Sequence, residues 1–276
     1  MQVLHLCSCS GFQHFNGTTY KFDHRAHFAL SGVTGQFHRA VRLLNLARQI
    51  APAMQKDHDE LSAKGYSRGI HSAEFTAIVE AFFCGIYASV DCCRQIVAEI
   101  YRDFQGVTSK STRRFFQNAS DGILDPRLPV GIRDAFTNAS WYHELRRIRD
   151  AVIHSDVGSC HMNDKTGKIF YMHSGLGTQN CAMITEDIVG KMEEAIKTVN
   201  IFLGKVFRDL NATLKDEPIF QICGVFGGRI YSRLVKPAEA VNFQSGICDS
   251  FHWFESPGNP ICPLTESCGA YKRAKR

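Results

Sequence analysis

Apolar positions along the chain recur at two spacings, and their order sketches the fold. From about 34 to 62, Phe37, Val41, Leu44, Ile50 and Met54 return at roughly helical intervals, and the glycines of "KGYSRG" end the segment. The strongest stripe follows. Phe75, Ile78, Val79, Phe82, Ile86, Val90, Cys93, Val97, Ile100 and Tyr101 predict one long helix to about residue 104, with Ser72 as its N-cap. "GVTSKSTRRFFQN" predicts a turn and a short basic helix, "LDPRLPVG" a proline-punctuated loop, and a further short helix is expected over 130–137. A helix starting near Asn138 packs through Trp141, Leu145, Ile148 and Val152, which share roughly a 40° arc of an ideal helix. "CHMNDKTGKIFYMHS" predicts a β-hairpin around "DKTG". Thr185, followed by Glu186 and Asp187, caps a last long helix whose Ile188, Met192, Ile196, Val199, Leu203, Val206 and Leu210 face inward.

Outside these segments the rhythm weakens. Residues 1–33 carry short apolar runs such as "VLHLC" and "HFAL", broken by glycine and polar residues, and read as loops with a short strand or two. After about 216, "IFQICGVFGGRIYSRLV" reads as two short strands around a glycine turn, and the Pro/Gly/Cys-rich remainder is irregular. The expectation is a mainly α protein, an up-and-down helical bundle with a small β-hairpin. Its helical domain spans 34–215, between an N-terminal flank (1–33) and a C-terminal extension (216–276).

Composition narrows the class without fixing the function. With 276 residues, 44% hydrophobic and 21% charged, the chain can bury a real core. A net charge of +5 permits an anionic partner without demanding one. The start has no charged leader region and no window approaches eighteen apolar residues, so a cytoplasmic protein without a membrane partner is expected. Among eleven cysteines, Cys84, Cys92 and Cys93 sit inside an apolar helix pattern, where a reduced thiol packs as a small hydrophobe. The glycosylation sequons at Asn16, Asn118, Asn138 and Asn211 carry little weight without a secretion signal. Cys248, His252, Cys262 and Cys268 lack a C-x2-C knuckle, so no metal or other cofactor is assigned.

The chemistry concentrates in "LRRIRDAVIHSD", residues 145–156, which brings Arg146, Arg147, Arg149 and His154 close together. Arg149 falls on the edge of the buried stripe, and His154 lies about 140° around, on the side of His143, Arg147 and Asp150. One straight helix cannot aim both at a small target. They converge if the helix ends or bends near His154, or if two copies meet across a symmetric dimer. Such a pair suits RNA cleavage. A histidine can take a proton from a 2′-hydroxyl or give one to the leaving oxygen, and an arginine can clamp the phosphate. No metal is required, because the 2′-hydroxyl is an internal nucleophile.

"RDAVIH", residues 149–154, resembles the Arg-polar-x-x-x-His motif of the HEPN superfamily. The setting is similar too: a long helix (73–104), a loop region, a Trp-led motif helix (139–154) and a final long helix (185–213). The resemblance implies a HEPN-like bundle acting as a metal-independent endoribonuclease, with RNA as substrate and the active cleft at a homodimer interface. It also implies a toxin or defence role, with an antitoxin protein as partner. Arg149 and His154 would then be catalytic and Asp150 the variable polar residue after the arginine. Where some members carry a tyrosine two places after the histidine, this chain has Asp156. Arg146 and Arg147, together with Lys110, Arg113 and Arg114 beside Phe115 and Phe116, are the candidate RNA-binding residues. Blander readings stay open: a solvated, salt-bridged face for Arg147, Asp150 and His154, and a simple amphipathic helix around 110–116. A non-catalytic helical module that binds RNA, a nucleotide or a protein partner is the alternative function.

Overall fold

The computed structural model describes residues 6–108, 110–178, 181–237 and 245–275. It is mainly helical, with two small antiparallel sheets. In chain order the helices are α1 (Leu6–Phe15), α2 (His24–Ile50), α3 (Met54–Lys64), α4 (Ile70–Ile100), α5 (Thr112–Ser120), α6 (Val130–Thr137), α7 (Tyr142–His154), α8 (Ile188–Ala212), α9 (Phe251–Phe254) and α10 (Gly269–Ala274). The strands are β1 (Ser159–Met162), β2 (Ile169–Thr178), β3 (Cys181–Thr185), β4 (Ile219–Phe226), β5 (Arg229–Val235) and β6 (Ile247–Cys248). Residues 24–203 form one compact unit, and residues 1–23 with 204–276 form another.

The first unit is built around α4. Its Phe75, Val79, Phe82, Ile86, Val90, Cys93 and Val97 are buried, as the stripe predicts. The helix starts earlier than expected, after Gly69 in the left-handed conformation (φ 61°). Ser72 is therefore not the cap but part of the first turn, where its amide donates to Asp57 Oδ2 at 2.8 Å. α2 lies along α4 and also begins before the expected boundary. Ala26, Ala29, Val33, Phe37, Ala40, Leu44 and Ala47 form its buried face, and the alanines hide that face from a count of large apolar residues. The packing is close: a Cβ at Gly32 would meet Cys92 Sγ at 2.7 Å, and Ser89 Oγ donates to the Val33 carbonyl at 2.8 Å. The single helix expected over 34–62 is two, because Ala51-Pro52-Ala53 forms a 3-10 turn in which Pro52 has no amide hydrogen to give.

α4 is also long and apolar enough to cross a membrane, against the expectation that no window would qualify. Its most apolar window is 56% buried inside the fold, as for a core helix. At its far end Asp91 accepts from the buried Arg94 at 2.7 Å and from Thr112, which joins α4 to the start of α5. Phe115 and Phe116 of α5 are both buried. Phe116 stacks on Tyr142 of α7, with ring centres 3.7 Å apart and planes 4° apart, and Phe115 meets Phe136 of α6 at 4.6 Å.

The expected hairpin after α7 is present, with Ser159 opposite Met172 and Met162 opposite Ile169. It gains a third strand, β3, in which Thr185 pairs with Tyr171. The cap of α8 accordingly moves from Thr185 to Asp187, whose Oδ1 accepts from the Gly190 amide at 2.8 Å.

In the second unit, Leu6–Phe15, expected to be loop or short strand, form α1, while residues 1–5 of that stretch lie outside the described residues. Its Phe12 is fully buried against Tyr20, Phe22 and Phe207. β4 and β5 form the expected pair of strands, extended by the unpredicted β6. Beneath them sits a small cluster of buried rings, Tyr231, Phe254 and Tyr271.

Candidate active site

α7 is held by its buried Tyr142, Leu145, Ile148 and Ala151, a stripe turned slightly from the predicted one because Val152 is only half-buried. The helix stops at His154. Ser155 leaves helical conformation (φ −120°, ψ −141°), and its amide closes the last turn on the Ala151 carbonyl at 2.9 Å. Four residues after His154 the chain is pinned to α4: Glu80 Oε1 accepts from the Gly158 amide at 2.8 Å and from the Tyr171 hydroxyl at 3.1 Å. Gly158 suits the spot because any Cβ there would run into the Tyr171 ring. Next to it, the Cys160 amide donates to Thr76 Oγ1 at 3.0 Å. α7 therefore ends at His154, but the histidine is still its last helical residue, so the helix end alone does not turn it toward Arg149.

Asp150 organises the arginines. Its Oδ1 accepts from Arg149 Nη1 at 2.7 Å and its Oδ2 faces Arg146 Nε at 3.1 Å. The Arg149 guanidinium also lies over the Tyr87 ring, 4.7 Å from its centre, and the Tyr87 and Tyr142 hydroxyls are 3.3 Å apart. Burial works against the charge of Arg149, but the bond to Asp150 and the neighbouring Tyr87 outweigh it, so its pKa is raised. Beside it, burial pushes the Cys84 thiol up, while Arg149 and Arg39 pull it down. The His154 imidazole is exposed and makes no hydrogen bond or ion pair with the described residues. Nothing joins it to Arg149 within one chain. Five residues separate them, about 7.5 Å along the axis.

The remaining candidates are surface cations. Arg147, Lys110, Arg113 and Arg114 are exposed, and Arg146 is half-buried in its ion pair. Phe115 and Phe116 do not interleave with them, because both rings face the core and cannot stack on bases. A cavity of about 70 Å³ lies along the other edge of α7, between Trp141, Glu144, Ile148 and Lys191. The Lys191–Glu144 ion pair (2.8 Å) borders it, and neither Arg149 nor His154 reaches it. No three described His, Cys, Asp or Glu side chains stand in metal-ligating geometry.

Several neighbours of the site are invisible to pattern reading. Tyr87 and Glu80 look like ordinary positions of the α4 stripe, and Tyr171 like one of β2. His173, two residues on, is buried. Its Nδ1 accepts from the Gly175 amide at 3.0 Å, so Nε2 carries the proton, and that nitrogen has no partner among the described residues. A Cβ at Gly175 would meet both Ser155 Oγ and His173, which places this histidine next to the end of α7. The alternation of Tyr171 and His173 along one strand face is the only sequence signal that could have found it. Compared with protein-family models, with curated proteins and with solved structures, the chain matches none.

Proposed function

We propose that this chain is a metal-independent endoribonuclease of HEPN type, acting as a homodimer on RNA. The reading rests on one observation: α7 ends at His154, leaving an exposed imidazole beyond a half-buried arginine that Asp150 and Tyr87 hold in place. α4, α7 and α8 would be the long, motif and final helices of a HEPN-like bundle. Two copies meeting across the end of α7 would supply two arginines and two histidines to one cleft, which the 140° offset denies a single chain.

In that cleft one His154 takes the proton of the 2′-hydroxyl as its oxygen attacks the adjacent phosphorus. The second gives a proton to the departing 5′-oxygen. The new O2′–P bond and the broken P–O5′ bond leave a cyclic phosphate and a 5′-hydroxyl. Arg149 offsets the charge that gathers on the phosphoryl oxygens, and Asp150 positions it. Arg146 and Arg147, with Lys110, Arg113 and Arg114, would hold the flanking backbone without reading sequence. A toxin or defence role, with a protein antitoxin, follows from the family resemblance alone.

One observation favours a second reading. Asp150 already occupies part of the Arg149 guanidinium, as in a structural ion pair, and a non-catalytic module that binds RNA, a nucleotide or a protein partner would need no more. The two readings separate on labelled RNA incubated with chelator present. The nuclease reading expects cyclic-phosphate ends from the wild type and a loss of about 10²-fold or more in His154→Ala. Equal cleavage by both proteins, or by neither, would overturn it. Retained RNA binding without cleavage would establish the module.

A further inference from the structure

The second unit gathers four cysteines that their spacing in the sequence does not unite. In β4 and β5, Gln221 pairs with Arg233 and Ile222 with Ser232. The register then slips so that Gly224 faces Tyr231, leaving Cys223 as the extra residue of a bulge. A bulge re-aims the side chain it carries. Tyr231, Arg233 and Val235 form the buried face of β5, and β6 sets Cys248 opposite Arg233, hence on that same face. Cys268 is the N-cap residue of α10, its Sγ accepting from the Tyr271 amide at 3.5 Å. Cys262 opens the preceding turn, its carbonyl accepting from the Thr265 amide at 3.1 Å. All four thiols are free and half-buried, and all four pack against Tyr231, Phe254 and Tyr271. His252, which the sequence suggested beside Cys248, is exposed on α9, and Cys223 stands with the cysteines instead.

Two arginines stand beside the same groups. Arg233, opposite Cys248 in the sheet, donates to Gln221 Oε1 at 2.7 Å and to the Ser245 carbonyl at 3.0 Å. Arg273 Nε in turn donates to the Gly246 carbonyl at 2.9 Å, which holds α10 against the β6 edge. As they stand the thiols are neighbours rather than a closed ligand set. Side-chain rotation would have to bring each sulfur to a Zn–S distance of about 2.3 Å.

We propose that Cys223, Cys248, Cys262 and Cys268 bind one zinc ion as a tetrahedral tetrathiolate site. Four Zn–S bonds form, four thiol protons pass to solvent, and no electron moves. The resulting centre carries two negative charges, which Arg233 and Arg273 offset. Four soft sulfur donors favour zinc over magnesium or calcium, which take oxygen ligands. The ion also gives a structural reason for the site. Among the described residues, three buried rings form the cluster under this sheet, and small modules with little core are commonly stapled by a metal.

The test is the metal content of the full chain purified under reducing conditions, followed by cobalt substitution. One zinc per chain is expected, released in step with titration of four thiols by a mercurial reagent. Cobalt should give the intense absorption of tetrahedral thiolate coordination. Cys223→Ser and Cys268→Ser should each lose the ion, and Cys84→Ser should keep it. Absence of bound zinc, iron in its place, a disulfide among the four, or zinc retained by both serine variants would each overturn the proposal. Zinc release needs only the wild-type chain, so misfolding of a variant does not spare the proposal.

Discussion

Two of the arginine–aspartate clusters in the helical unit differ in burial. At the end of α4, Arg94 is almost fully enclosed and pairs with Asp91, which also accepts from Thr112 and Gln95. On α7, Asp150 pairs with Arg146 and Arg149, and all three side chains are about 30% exposed. The first cluster joins two helices, so its charges are structural. The ion pairs of the second lie within one helix, with Arg149 also over the Tyr87 ring of α4, and border the end of α7. Charges that water and a ligand can still reach stabilise the fold little and remain available for binding.

Substitutions in the two clusters should separate their roles. For the proposed nuclease activity the largest effect is expected: Arg149→Ala should lower RNA cleavage by about 10²-fold or more while shifting the thermal midpoint little. Cleavage rates and calorimetry on one preparation check this, and an unfolded variant would place Arg149 with the structural cluster instead. Asp91→Asn should cost on the order of 2–3 kcal/mol in urea unfolding, because the enclosed Arg94 loses its carboxylate partner.

The same aspartate sets an acid dependence. Burial pushes the Asp91 carboxyl up, but Arg94, Thr112 and Gln95 outweigh it and hold it below its ordinary 3.8. A depressed carboxylate adds stability that is present above its ordinary pKa and lost as pH falls through the folded value. The gap between wild type and Asp91→Asn should therefore be full at neutral pH and close under acid unfolding. A gap that widens in acid would reverse the assignment. The smallest effect belongs to Asp150→Asn, under about 1 kcal/mol in stability, with cleavage falling several-fold as Arg149 loses its anchor. A destabilisation equal to that of Asp91→Asn would erase the difference between the clusters.

How much of this was legible depended on side-chain size and sequence distance. The stripes of α4, α7 and α8 announced themselves because Phe, Ile, Leu and Val repeat at helical spacing. The N-terminal half of α2 did not, since Ala26 and Ala29 do the burying there. Ser72 and Thr185 each looked like a cap, yet Asp57, fifteen residues upstream of Ser72, and Asp187 hold those helix starts. At the candidate site, the Arg149–His154 pair was readable from local order. Its surroundings were not, because Glu80 meets Gly158 across 78 residues and Tyr171 across 91. Among the cysteines under the second sheet, Cys248, Cys262 and Cys268 could be grouped from the sequence and Cys223 could not. No spacing rule links Cys223 to Cys268; one sits at a bulge of β4 and the other at the start of α10, and both pack on the same ring cluster.

The Glu80 anchor has a mechanical consequence. His154 stands four residues from a fixed mooring at Gly158, and four residues of chain reach no more than about 14 Å. If the last turn of α7 frays, the imidazole swings on that leash and cannot drift away with the strand that follows. The reach of the ring is thus set by the Glu80–Gly158 contact rather than by the helix that carries it.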